Sequence, residues 1–141
     1  MTVLVDTNVL SELLRPQPEP AVLAWFAGQN ADSVCVSTVT QAEMLLGVQL
    51  LAPGKRRQTL ERAMKALFAE EFAGRILTFD SGAAEAYATI VVERRRRGRP
   101  ISQFDAQIAA IAHSRRASLA TRNVADFRDC GLVLIDPWAA A

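Results

Sequence analysis

Apolar residues fall into two kinds of run along this chain. Short continuous stretches occur in TVLVD (2–6), SVCVS (33–37), RILTF (75–79), SLAT (118–121) and LVLI (132–135). Longer stretches carry apolar residues at helical spacing: 8–14, 20–29, 38–51, 55–72, 81–97 and 104–116, with a single helical turn at 124–127. The first class predicts strands and the second helices. Breakers agree with the boundaries. Pro16 closes the first helix, Pro20 opens the second with Gly28 near its end, and Pro53-Gly54 stops the third.

Strands alternating with helices predict a parallel sheet covered on both faces. Strands buried on both sides are continuously apolar, as the first three are here. Ligands of such sheets bind beyond the carboxyl ends of the strands. Asp6 ends the first strand, so the pattern draws attention to carboxylates placed to meet it.

Glu43 shares a helical stripe with Val39, Leu46, Gly47 and Leu50, all apolar or glycine. A lone charge on a buried face is costly unless paired or coordinated; the alternative is a position at the stripe's edge, open to water. Asp105 follows Ser102 by three residues, the spacing of a capping box, yet its face runs through Ile101, Ile108 and Ala112. Asp126 follows Asn123 by three residues after the strand at 118–121, so a capping role competes there too. Asp80 occupies a similar strand-to-helix step, and the well-patterned helix behind it explains it as a cap. Acids crowded into one cleft repel, and a hard cation such as Mg²⁺ or Mn²⁺ relieves that repulsion. Such an ion activates water and stabilises charge on a phosphoryl group, which is the chemistry of phosphodiester hydrolysis.

Composition narrows the field. The chain has 141 residues, half of them hydrophobic and 22% charged. That suits one domain, 1–141, with a real core and excludes disorder. The formal charge of +1 argues for no particular partner. Cys35 and Cys130 are too far apart for a metal-spaced cluster, and Cys35 reads as a small buried hydrophobe. His113 is the only histidine and reads as a surface or helix-end residue, which leaves too few ligands for zinc or a histidine-based triad. The glycines are scattered, so no phosphate-cradling loop is expected. The start MTVLVD lacks a basic leader and no run approaches the ~20 apolar residues of a membrane span; a cytoplasmic protein is the expectation.

Four segments carry a family resemblance: VLVDTNVLSELLRP, VSTVTQAEMLLGV, GRPISQFDAQIAAIA and LATRNVADFRDCGLVLIDPW. In this order and spacing the chain resembles the PIN-domain ribonucleases, most of all the VapC toxins of type II toxin–antitoxin systems, in their FitB-like branch. The resemblance implies a five-stranded parallel sheet of order 3-2-1-4-5 between helices. It implies an endoribonuclease that uses Mg²⁺ (Mg2+) or Mn²⁺, acts on RNA, forms a homodimer and is held inactive by a small antitoxin. By motif match, Asp6, Glu43 and Asp105 take the acidic metal positions. Many relatives carry Asp where this chain has Asn123, and Asp126 is the nearby acid that could substitute. Thr7, Thr121 and Asn123 are candidates to hydrogen-bond the ligand carboxylates or simply to cap helices. Arg122 is a candidate RNA contact.

The run ERRRRGRP (93–100) reads either as a solvated helix end or as a phosphate contact or docking edge. Leu60, Met64, Leu67 and Phe68 read first as core, second as a clamp for a partner helix. Trp25, Phe26 and Trp138 read as core or interface. Two other functions stay open: a phosphohydrolase with Asp6 as nucleophile, although the second acid expected two residues on is Asn8; and a degenerate nuclease kept as a binding module, which Asn123 leaves possible.

Overall fold

Alternate side chains of the first strand sort into opposite cores. In the computed structural model, which describes residues 1–139, Val3 and Val5 join one buried cluster with Val9, Leu10, Met44, Met64 and Phe68. Leu4, between them, joins a second with Ile90, Ile108, Ile111 and Leu119. A strand's period of two puts successive residues on opposite faces, so one three-residue strand anchors both layers.

The strands are β1 (Val3–Val5), β2 (Val34–Ser37), β3 (Ile76–Leu77), β4 (Ser118–Ala120) and β5 (Leu134–Ile135). They form one sheet of order β3-β2-β1-β4-β5, parallel throughout. The helices are α1 (Thr7–Glu12), α2 (Pro20–Ala27), α3 (Thr38–Gln49), α4 (Lys55–Ala66), α5 (Ser81–Arg96) and α6 (Gln103–Ser114). A π-helical turn at Leu67–Glu71 extends α4, and 3-10 turns occupy Ala31–Ser33 and Val124–Phe127. Helices α4 and α5 pack on opposite faces, in the first and second cluster respectively.

Strand order reverses at β1: the chain moves outward through β2 and β3, then returns to β4 on the other side. Such a switch point opens a crevice at the carboxyl ends of the central strands. Asp6 stands there, and its amide donates to the Ala120 carbonyl at 2.8 Å, locking the end of β1 to the end of β4.

The expected elements are present, with two corrections, and the core reading of the α4 stripe holds. β3 keeps two of its expected five residues and is half-buried, because it is an edge strand with a neighbour on one side only. The buried residues of α3 are Val39, Thr40, Met44 and Val48, whereas Leu46 and Leu50, expected on the Val39 stripe, are 58% and 76% exposed. Glu43 therefore borders the core stripe and does not interrupt it. The stripe through Leu60, Met64, Leu67 and Phe68 is spent on the chain's own core. Among the described residues no helix is long and apolar enough to cross a membrane.

Candidate metal and phosphate site

Asp6 is the N-cap of α1: its Oδ1 accepts from the Thr7 amide at 2.8 Å. Its Oδ2 accepts from the Thr121 hydroxyl at 2.8 Å. The carboxyl is 5% exposed, and burial pushes its pKa up to about 6 against these two hydrogen bonds, which pull it down. The charges of Asp105 and Glu43 raise it further. Acids far apart in the chain thus act on one another at the end of β1.

Glu43 reaches the site from α3. The N-terminus of that helix is fixed by Ser37, whose hydroxyl accepts from the Thr40 amide at 3.0 Å. One turn on, Glu43 Oε1 accepts from the Thr7 hydroxyl at 2.7 Å, and Thr7 Oγ1 lies 3.0 Å from Thr40 Oγ1. Glu43 and Thr7 also line a cleft of about 850 Å³ walled by Leu14, Met44 and Leu60 and edged by Arg15 and Arg56.

Asp105 sits in the first turn of α6 and its amide donates to the Ser102 hydroxyl at 3.2 Å. The cap expected from the sequence is present. Asp105 is nonetheless half-buried, at helical spacing from the buried Ile108 and Ala112. Burial raises its pKa, the Ser102 bond lowers it, the charge of Asp126 raises it and Arg94 lowers it. Asp126 is exposed on the Val124–Phe127 turn. Asn123 does not cap that turn through its side chain, contrary to the capping expectation; its amide instead donates to Thr121 Oγ1 at 3.1 Å. Thr121 therefore accepts from Asn123 and donates to Asp6, joining two of the expected site residues.

The donors gathered here are all carboxylate and hydroxyl oxygens, the set that suits a hard divalent cation. Among the described residues no three His, Cys, Asp or Glu side chains are drawn tightly enough together to hold a metal ion as they stand. The arrangement is an open one. It fits Mg²⁺, which takes one or two carboxylates and keeps several waters, better than it fits a cation needing a full protein cage. Among the described residues Asp6, Glu43 and Asp105 join no ion pair, and the mutual repulsion of such acids is the condition a bound cation relieves.

The other sequence candidates separate cleanly. Asp80 caps α5 through the Ala83 amide at 3.0 Å and pairs with Arg115 at 3.2 Å. The Ala83 bond is the main cause holding its pKa low. His113 is exposed in the last turn of α6. Arg122 is exposed beside Thr121, its guanidinium 4.9 Å from the Trp138 ring centroid and its amide donating to Asn8 Oδ1 at 3.4 Å. Neither Asn8 nor Trp138 was marked as a site residue by sequence. The run at 93–100 is not uniformly solvated either: Arg94 is buried. The spacing of Ala83, Ile90 and Arg94, the buried residues of α5, is the helical signal that marks it.

A PIN-domain family model matches residues 3–131. Toxin FitB of Neisseria gonorrhoeae is 39% identical over 136 residues, 96% of this chain and 98% of that protein. A VapC ribonuclease of Sinorhizobium fredii is 35% identical over 139 residues, 99% of each. The tRNA(fMet)-specific endonuclease VapC of Shigella flexneri is 30% identical over 138 residues, 96% of this chain and 97% of that one. Among solved structures, a chain of FitAB bound to a DNA fragment superposes with a TM-score of 0.93 at 39% identity, covering 99% of this chain and 98% of that one. The chain belongs to the PIN-domain family, alongside the VapC and FitB proteins.

Proposed function

We propose that this protein is a Mg²⁺-dependent endoribonuclease, with Mn²⁺ able to replace Mg²⁺, and the toxin of a type II toxin–antitoxin pair. The observation that carries the reading is the buried Asp6, raised to about 6 and acted on by the charges of both Glu43 and Asp105 at the switch point of the sheet. Asp6 and Asp105 would hold the cation, with Glu43 completing its surroundings and Asp126 in reserve as the fourth acid. When bound, the ion supplies an activated water and neutralises charge on the phosphoryl group.

The chain's own groups do the rest. Thr121 and the Thr7 amide fix both oxygens of Asp6, so that carboxylate presents one orientation. The Thr7 hydroxyl holds Glu43 through Oε1, and the second oxygen of Glu43 would serve as proton acceptor for an attacking water. Arg122 lies over the Trp138 ring, where it would take an RNA phosphate. Positioning and charge, with no covalent step on the protein, are the means by which phosphoryl chemistry is ordinarily accelerated.

The partner follows from the relatives. FitB is solved in complex as FitAB, and structural neighbours are VapBC complexes. The apolar cleft beside Glu43, with Arg15 and Arg56 at its edge, is suited to a small antitoxin, and a homodimer of this chain is the expected core of the assembly. In the test, purified protein is incubated with RNA in Mg²⁺, with and without chelator. Asp6→Asn and Asp105→Asn are expected to remove cleavage while leaving the circular dichroism spectrum intact. Cleavage at the wild-type rate by either variant, or in excess chelator, would end the proposal.

A further inference from the structure

Arg94 is a buried cation that joins no ion pair among the described residues. Burying a charge is costly unless its donors are all engaged. Here the Nε and Nη1 groups of the guanidinium are spent mainly on backbone. Nε donates to the Arg99 carbonyl at 2.6 Å, and Nη1 donates to the carbonyls of Asp126 at 2.7 Å and Arg128 at 2.9 Å. Nη1 also approaches Cys130 Sγ at 3.6 Å.

These carbonyls belong to two separate segments. Arg99 lies on the link from α5 to α6, just ahead of Ser102 and the turn that carries Asp105. Asp126 and Arg128 belong to the turn after β4 and its exit. α5 needs no charge at this place: Ala83 and Ile90, its other buried residues, are apolar. An arginine is justified by what its planar fork spans, which the point charge of a lysine does not. Its positive charge also reaches the Asp105 carboxyl.

We propose that Arg94 is a positioning residue of the acidic site: from behind, it bolts the segment leading to Asp105 to the turn carrying Asp126 and so fixes how these two carboxylates present themselves to a divalent cation. The inference rests on the metal-dependent nuclease reading. One arginine of a basic run thereby becomes part of the site's frame through its backbone contacts.

The test uses the full chain carrying Arg94→Ala or Arg94→Lys. Folding is followed by circular dichroism, Mn²⁺ affinity by calorimetry, and kcat and KM by RNA cleavage. Both variants are expected to bind Mn²⁺ about 10- to 100-fold more weakly, as when a group supporting a metal ligand is lost. kcat should fall with that affinity while the KM for RNA stays put. Methylguanidinium, which fits the pocket emptied in Arg94→Ala, should restore Mn²⁺ binding, and methylammonium of equal charge should not. If Arg94→Ala does not fold, Arg94→Lys decides. A folded variant with wild-type Mn²⁺ affinity overturns the proposal and leaves the nuclease reading standing. A wild-type chain that neither binds Mn²⁺ nor cuts RNA overturns both.

Discussion

Thr121 donates its hydroxyl to Asp6 Oδ2 at 2.8 Å, across a separation of 115 residues in the chain. Both residues stand at carboxyl ends of adjacent parallel strands, β1 and β4. The same hydroxyl oxygen accepts from the Asn123 amide at 3.1 Å, so one side chain orients the acid and the loop that follows β4. Thr121→Val keeps the shape and deletes both bonds. It should cost about 1–3 kcal/mol, because a buried carboxylate oxygen and a backbone amide lose their partner. Cleavage should fall roughly 10- to 100-fold, the usual loss when support for a metal ligand is removed. Thr121→Ser should retain most of the activity. Thermal melting and initial rates on one RNA substrate check this, and a valine variant as active as wild type refutes it.

Asp6 makes stability depend on pH in a direction opposite to that of most surface acids. Its native pKa is raised to about 6 from 3.8, so the folded state holds a proton that the unfolded chain has released between those values. The contribution of Asp6 to the stability of the metal-free protein is therefore greatest below about pH 4. It falls as the pH rises to about 6 and stays low above it, by roughly 3 kcal/mol at most. Saturating Mg²⁺ or Mn²⁺ should reverse the loss, contributing about 2.7 kcal/mol at a hundredfold excess over Kd. Asp6→Asn should melt higher than wild type at pH 7.5 without metal, lose its response to metal, and cut no RNA. Melting curves at pH 5 and pH 7.5, with and without Mn²⁺, test each part. A metal-free wild type more stable at the higher pH would contradict the argument.

Arg122, next in sequence to the Thr121 that holds Asp6, forms a cation–π pair with Trp138 at 4.9 Å. An exposed arginine stiffened in this way meets a phosphate with less loss of side-chain freedom. Arg122→Met should raise the KM for RNA several-fold with little change in kcat. It should also flatten the salt dependence of binding by about 0.7 in the log–log slope, the share of one contact on single-stranded RNA. Trp138→Leu should give a weaker version of the same effect, since it frees the guanidinium without removing it. An unchanged salt slope in Arg122→Met would assign the guanidinium a role away from RNA.

Much of this site was legible in the chain because local rules bear on it. Asp6 lies where an apolar strand gives way to a helix, and Asp105 lies three residues after a serine cap on a face that is otherwise apolar. The five-stranded order came from the family resemblance and is the order observed. What was not legible depends on partners distant in sequence. Asn123 looked like a cap because of its spacing to Asp126, but Thr121 takes its amide instead. Leu46 and Leu50 looked like core by period, yet α3 turns its Thr40, Met44 and Val48 stripe inward, since only one of two apolar faces can meet the sheet. Arg94 was hidden in a charge run whose composition suggests water. Its helical spacing from Ala83 and Ile90 marks it as buried, and the three carbonyls around it, distant in sequence from that stripe, show what it holds there.

Thr7 and Glu43 are coupled through one hydrogen bond of 2.7 Å, and that coupling is measurable. On the proposed mechanism Glu43→Gln should lower kcat by more than it lowers Mn²⁺ affinity, because it would remove the proton acceptor while Asp6 and Asp105 would still hold the ion. Thr7→Val removes the donor that orients Glu43 and leaves its charge; it should lower kcat by a smaller factor. If Thr7 acts on cleavage through Glu43, the double variant should be no slower than Glu43→Gln alone. The interaction energy in the cycle would then equal the cost of Thr7→Val, on the order of 1–2 kcal/mol for residues in contact. Independent effects on kcat would sum instead. Strict additivity would place the Thr7 hydroxyl in the service of Thr40, 3.0 Å away, and leave Glu43 to be aimed by the cleft.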